Sequence, residues 1–282
     1  MKHKKWLAPM ILALAGAAVF LTPYLRDWYS ARQEKKTIET YKDQVMRTDE
    51  ETLEKLLEEA REYNRHLDST TALTSLTPSE EETYQKTLDI SGTGIMGYLD
   101  IPEQNIHLPI YHGTDDSVLA RGAGHLEMSS LPIGGEGSHS VITGHTGVSG
   151  DKLFDNLSQM KVGDTFTITV LNETNTYTVD QIEVVDPDDT TNLNREEGQD
   201  LSTLVTCTPY GVNNKRLLIR GSKSATSTIT PTPAPAHGGG GRSIHTVQTG
   251  DTTIIYALLL ISILSGIAAV YLLFRTGRSK KN

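Results

Sequence analysis

The residues best equipped for chemistry lie in one stretch, Thr203-Leu204-Val205-Thr206-Cys207-Thr208-Pro209-Tyr210-Gly211, followed by Lys215-Arg216-Leu217-Leu218-Ile219-Arg220-Gly221. It holds the only cysteine of the 282-residue chain. A β-branched run delivers that thiol to the end of an expected strand. A Pro-Tyr-Gly turn follows, and a second strand opens with an arginine. A thiol on a firm strand edge with a cation brought back beside it suits acyl transfer. That chemistry needs a thiolate, a proton carrier for the leaving amine, and a positive or hydrogen-bonding group where the carbonyl oxygen gains charge. The alternative role for an unpaired cysteine is a small buried hydrophobe.

The proton carrier must be a histidine or carboxylate close in space. Of nine histidines, His3 sits on an N-terminal basic flank, His66 on a polar helical stretch, and His237 and His245 in a linker. His107, His112, His125, His139 and His145 remain. His145, in Thr143-Gly144-His145-Thr146-Gly147, follows an apolar strand, and flanking glycines let other backbone come close. His107 and His112 lie in or near strands, where a structural role fits better. Gly124-His125 and Ser138-His139-Ser140 are weaker versions of the loop signal. For the cation, Arg216 and Arg220 are two strand steps apart and share a face with Leu218, so periodicity does not choose between them. Arg216 is nearer the turn from Cys207, and Arg220 reads equally as a salt-bridged surface arginine. A metal site is the rival use of such residues. One cysteine builds no thiolate zinc site, and no His-Glu-x-x-His occurs. Asp186-Pro187-Asp188-Asp189 offers carboxylates for calcium but reads better as an exposed acidic turn.

The elements that must position these groups follow from patterning. Residues 26–67 carry Ile38, Tyr41, Val45, Leu53, Leu56, Leu57, Ala60, Tyr63 and Leu67 at helical spacing, which predicts one or two amphipathic helices. Thr77-Pro78-Ser79-Glu80-Glu81-Glu82 reads as a helix start. From Ile95 the pattern turns to short strands at 96–102, 106–111, 140–145, 165–171, 176–185, 201–207 and 216–220, with Asn172-Glu173-Thr174-Asn175 as a hairpin loop. Many short strands with few helical turns point to a closed or nearly closed β-barrel.

The ends bear on the compartment. Lys2, Lys4 and Lys5 precede an apolar run at residues 6–25. A second run at 254–274 has no charge and is followed by Arg275, Arg278, Lys280 and Lys281. Both lengths suit a bilayer span, and basic residues on both outer flanks place both termini in the cytoplasm with the middle outside. Ala13-Leu14-Ala15 leaves a cleaved signal peptide open for the first run. The expected organisation is an N-terminal span or signal anchor (1–26), a helical region (27–92), a β-barrel that carries these groups (93–222), a Pro/Thr/Gly linker (223–253), a transmembrane helix (254–274) and a basic tail (275–282). Four glycines at 238–241 lack the strand, helix and Lys-Ser of a phosphate loop. A net charge of −9 argues against nucleic acid as partner.

Together these motifs resemble those of sortases, the membrane-bound transpeptidases of Gram-positive bacteria. The resemblance rests on Thr203-Leu204-Val205-Thr206-Cys207-Thr208-Pro209-Tyr210-Gly211 with Arg216 downstream. The run through Asn213 and Arg216-Leu217-Leu218-Ile219-Arg220-Gly221 resembles the class C, pilin-polymerising branch. Gly97-Tyr98-Leu99-Asp100-Ile101-Pro102, Leu108-Pro109-Ile110-Tyr111-His112-Gly113-Thr114, Gly124-His125-Leu126-Glu127, Ser130-Leu131-Pro132-Ile133-Gly134-Gly135 and Thr143-Gly144-His145 add to it. The resemblance implies an eight-stranded sortase β-barrel with N-terminal helices, flanked by transmembrane helices. It implies His145, Cys207 and Arg216 as the catalytic triad, and no cofactor. The implied reaction cleaves a Leu-Pro-x-Thr-Gly sorting signal between Thr and Gly and transfers the acyl group to a lysine of another pilin subunit. Attachment of surface proteins to peptidoglycan is the alternative within the family. A membrane-tethered binding domain with an incidental buried cysteine is the alternative outside it. One departure is visible. Class C sortases often carry a lid anchored by an Asp-Pro-aromatic element, and the corresponding region here reads Leu73-Thr74-Ser75-Leu76-Thr77-Pro78. The expectation is that residues 68–82 cover Cys207 loosely, with Leu76 as a plug.

Overall fold

A computed structural model describes residues 4–67, 76–146 and 153–223. Helix α1 (Lys4–Arg47) runs from the first apolar run into the amphipathic stretch, and α2 (Glu50–His66) follows after one short break. The break is chemical. The Asp49 carboxylate accepts the Thr52 N–H at 2.8 Å, ending one helix and capping the next. Ile38, Tyr41, Leu53, Leu57 and Ala60 are buried and Leu56 and Tyr63 half-buried, so the expected apolar stripe faces the core. Helix α3 (Pro78–Lys86) starts at the expected proline. Thr77 and Glu80 form a reciprocal capping box, Thr77 N–H donating to Glu80 Oε2 at 2.8 Å. No helix among the described residues is long and apolar enough to cross a membrane. The second apolar run, the linker, and His3, His237 and His245 lie outside the described residues.

Eight strands close into a barrel: β1 (Ile95–Ile101), β2 (Ile106–His112), β3 (Ala123–His125), β4 (Ser138–Thr143), β5 (Thr165–Val170), β6 (Glu173–Val185), β7 (Asp200–Thr208) and β8 (Lys215–Ser222). Their order around the barrel is β1-β2-β3-β4-β7-β8-β6-β5. The β2/β3 and β4/β7 pairs are parallel and the others antiparallel. Three-residue β3 and the one-turn helix α4 (Asp116–Leu119) have no counterpart among the elements expected from patterning. The expected loop at 172–175 is shorter: Val170 pairs with Glu173, so only Leu171 and Asn172 turn the chain. Leu171 takes φ +51°, unusual for a branched residue. Its side chain is buried, and its N–H donates to the Tyr41 hydroxyl at 2.7 Å. Tyr41 in turn donates to the Met96 carbonyl at 2.9 Å, so helix α1 pins this turn and strand β1 together.

Strand alternation sorts two apolar sets. Ile142, Leu204 and Ile219 belong to the main core, whereas their neighbours Val141, Val205 and Leu218 form a second cluster with Leu193, flanked by Leu126 and Val185. Successive side chains on a strand point to opposite faces. The second cluster therefore lies on the outer face of β4, β7 and β8.

Candidate active site

Cys207 sits near the end of β7 and on the same face as Val205 and Thr203. On β8, Arg216 is the direct antiparallel partner of Cys207, and Arg220 is the partner of Thr203. On the other side, β4 runs parallel to β7 with Thr143 opposite Val205. Two further steps along both chains bring His145 level with Cys207. The register is maintained past the last strand residue, because Gly144 N–H donates to the Val205 carbonyl at 3.1 Å. Neighbouring strands lie about 4.8 Å apart, so β7 presents its thiol between a histidine and an arginine on one face. All three side chains are half-buried. They line one cleft of about 270 Å³ together with Thr114, Leu119, Leu126, Val141, Thr143, Gly144, Leu193, Val205 and Thr206. The apolar wall is thus part of the second cluster, Leu126, Val141, Leu193 and Val205, continued by Leu119 of α4.

The two arginines, equivalent by periodicity, part company in the fold. Arg220 is engaged by Asp180 and Glu196, both at 2.9 Å, and lies away from the cleft. Arg216 donates to the Lys215 carbonyl at 3.2 Å and lines the cleft. The histidines separate as clearly. His107 pairs with Asp100. His112 places its ring nitrogens 2.9 Å from the Gly94 carbonyl and 2.7 Å from that of Thr87. His125 is fully buried between the Tyr84 hydroxyl at 3.0 Å and the Ser130 carbonyl at 2.8 Å, and burial pushes its pKa down to about 3. His139 spans the Asn194 carbonyl and the Thr203 hydroxyl, both at 2.7 Å, and burial lowers its pKa as well. His66 contacts the Glu62 carbonyl within α2. Only His145 among the described histidines opens onto the cleft beside Cys207.

The acidic turn is exposed. Asp186 takes the Lys215 ammonium at 2.6 Å, and Asp189 accepts the Thr191 N–H at 3.1 Å. Among the described residues no cluster of three or more His, Cys, Asp or Glu is placed to hold a metal. Of residues 68–82, the stretch 68–75 lies outside the described residues. Leu76 packs on the main core, and none of 76–82 lines the cleft.

Several residues around the site escaped the sequence reading. Leu119, Leu126 and Leu193 come from three separate connections and show no periodicity that would join them. Thr206 reads as one more β-branched strand residue, yet its buried hydroxyl donates to the Gly144 carbonyl at 2.7 Å. Phe154 gives no sequence signal; its N–H donates to the His145 carbonyl at 3.0 Å. Its ring lies so close to Gly144 that a Cβ there would stand 2.9 Å from ring carbons. That approach is what the glycine before the histidine permits; Gly147, on the far side, is outside the described residues.

A β-barrel of this strand order, carrying a thiol between histidine and arginine beside an apolar cleft, defines a cysteine acyl-transfer enzyme. A sortase domain model matches residues 99–224. The crystal structure of sortase C1 from Streptococcus agalactiae is 47% identical, covers 68% of this chain and 99% of its own, and superposes with a TM-score of 0.66. Sortase C from Streptococcus pneumoniae, described for its catalysis and pilin substrate specificity, is 36% identical over 71% of this chain and 100% of its own, with a TM-score of 0.60. Sortase C from Clostridium perfringens, solved with a C-terminal cell wall sorting motif, is 36% identical over 68% and 99%, with a TM-score of 0.57. The chain belongs to the sortase family of cysteine transpeptidases. The three solved structures just described are all sortase C enzymes.

Proposed function

We propose that this chain is a membrane-anchored class C sortase that cleaves a Leu-Pro-x-Thr-Gly-type sorting signal between Thr and Gly and joins the acyl group to a pilin lysine. The observation that carries the reading is the alignment of His145, Cys207 and Arg216 across three adjacent strand ends, over one apolar cleft. In this mechanism the Cys207 thiolate attacks the threonine carbonyl carbon, forming a C–S bond. Charge gathers on the carbonyl oxygen, where the Arg216 guanidinium meets it. Collapse breaks the Thr–Gly C–N bond, and His145 gives its proton to the departing glycine amine. A lysine ε-amine then attacks the thioester, the C–S bond breaks to release Cys207 as thiolate, and His145 takes the amine proton. The outcome is an isopeptide bond with the enzyme restored, and no cofactor takes part. The leucines and valines of the cleft wall suit the apolar residue of such a signal.

The kinship with the Streptococcus pneumoniae enzyme and its pilin substrates favours a lysine acceptor over a peptidoglycan amine. The full chain in detergent, given a Leu-Pro-x-Thr-Gly peptide and a pilin domain, is expected to release the glycine fragment and build pilin ladders. Cys207→Ala is expected to abolish both. Ladders that persist in Cys207→Ala would sink the mechanism, and cleavage without ladders would point to a different acceptor. The basic flanks of the two apolar runs support a topology with both termini in the cytoplasm and the barrel outside. Protease added to intact protoplasts should then digest the barrel and spare a C-terminal epitope tag; loss of the tag would refute that orientation.

A further inference from the structure

We propose that Thr206 and Phe154 are positioning residues that grip the backbone at Gly144–His145 from two sides and so hold the His145 ring beside Cys207. The inference rests on the reading of His145 as the proton carrier. Strand β4 ends at Thr143, so His145 stands beyond the regular ladder. A proton carrier must keep its place to within about half an ångström to serve both half-reactions. Strand pairing reaches as far as Gly144, whose N–H donates to the Val205 carbonyl at 3.1 Å, so further contacts have to fix the residue after it.

Three contacts converge on these two residues. From β7, the Thr206 hydroxyl donates to the Gly144 carbonyl at 2.7 Å, one residue before Cys207 itself. The strand that carries the thiol therefore also holds the chain that carries the imidazole. From the opposite direction, Phe154 N–H donates to the His145 carbonyl at 3.0 Å. The Phe154 ring then lies flush against Gly144, leaving no room for a Cβ. Thr206 is 3% exposed and Phe154 fully buried, so neither grip competes with water. Gly144 does not have a positive φ; space rather than backbone conformation is what demands glycine there. Thr143 adds a weaker tie, its hydroxyl donating to the Val205 carbonyl at 3.2 Å.

Two sets of variants of the full chain in detergent test this. Thr206→Val keeps shape and removes the hydroxyl; Thr206→Ser keeps the hydroxyl. We expect Thr206→Val to lower kcat for sorting-peptide cleavage about 10- to 100-fold with KM within about twofold of wild type, and Thr206→Ser to recover most of the loss. Gly144→Ala should lower kcat similarly by pushing against the ring, and Phe154→Leu in the same chain should restore part of it by yielding space. The proposal is overturned if Thr206→Val keeps wild-type kcat, or if Thr206→Ser is as impaired as Thr206→Val. It is also overturned if Phe154→Leu adds to the Gly144→Ala defect. If Thr206→Val proves too unstable to assay, the Gly144/Phe154 pair decides alone. Should the wild-type chain cleave no sorting peptide, the functional reading fails, and the grip is still measurable from the rate of Cys207 alkylation by iodoacetamide. Thr206→Val then moves that rate to the value of His145→Ala if the grip exists, and leaves it at the wild-type value if it does not.

Discussion

At the scale of single residues, the site turns on which neighbour each cross-strand partner meets. Arg216 and Arg220 share one face of β8, yet only Arg216 is level with Cys207. Arg220 is drawn off by two carboxylates. Replacing Arg216 by alanine should lower kcat/KM about 10²- to 10³-fold, the scale expected for losing a group that meets the developing oxyanion. Arg216→Lys should recover only part, because an ammonium lacks the planar fork of donors. Arg220→Gln should leave kcat/KM near wild type and cost about 1 kcal/mol or less of stability, since its partners are partly exposed. Peptide-cleavage kinetics on the three variants check this; a larger activity loss at Arg220 than at Arg216 would reverse the assignment. The thiol, histidine and arginine were legible as types and motifs. Resemblance to the sortase motifs singled out His145 and Arg216; the physical reason is register, a property of pairs of strands that one strand's alternation does not contain.

At the scale of elements, long and strongly periodic segments were readable and short ones were not. The stripe from Ile38 to Tyr63 and the Thr77-Pro78 helix start appear where expected. Strand β3 is three residues long, too short for alternation to declare itself, and owes its place to neighbours on both sides. The turn at Leu171–Asn172 hid behind polar residues that pair as strand, because a tyrosine 130 positions away fixes it. Helix α3 works the same way. Its Tyr84 hydroxyl accepts the buried Gly113 N–H at 2.9 Å and sits 3.0 Å from the His125 ring. Tyr84→Phe removes the acceptor and leaves that N–H unpaired, at a cost of about 1–3 kcal/mol. Thermal unfolding of a fragment spanning residues 27–223 should show the loss. An unchanged midpoint would mean that α3 is held by apolar contact alone.

At the scale of the whole molecule, ring closure makes the buried histidines into a common acid sensitivity. The closed or nearly closed barrel expected from strand count is what forms, but the order in which its strands close could not be read from them. That order depends on the parallel β2/β3 and β4/β7 pairs, which long connections create and local pattern does not announce. Each of these pairs carries a buried histidine: His125 on β3, opposite core residue Ile142, and His139 on β4, covered on the outer face against Asn194 and Thr203. Around His125 stand Tyr84, Ser129, Ser130 and a second histidine, His112, and no described carboxylate contacts its ring. Its pKa near 3 in the folded protein lies below the value of about 6.5 in an unfolded chain. Between those values the unfolded chain binds a proton that the folded one refuses. Stability is therefore fully present above pH 6.5 and falls as the pH drops, by up to about 1.4 kcal/mol per pH unit for this one group. His139, also depressed by burial, acts in the same direction. The effect should show between pH 6.5 and 5, before most carboxylates titrate. His125→Gln keeps a donor for the Ser130 carbonyl and removes the titrating ring. Its unfolding free energy should start lower at pH 7.5 and decline less steeply than that of the wild type down to pH 5. Parallel curves for the two proteins would show that the acid sensitivity lies elsewhere in the barrel.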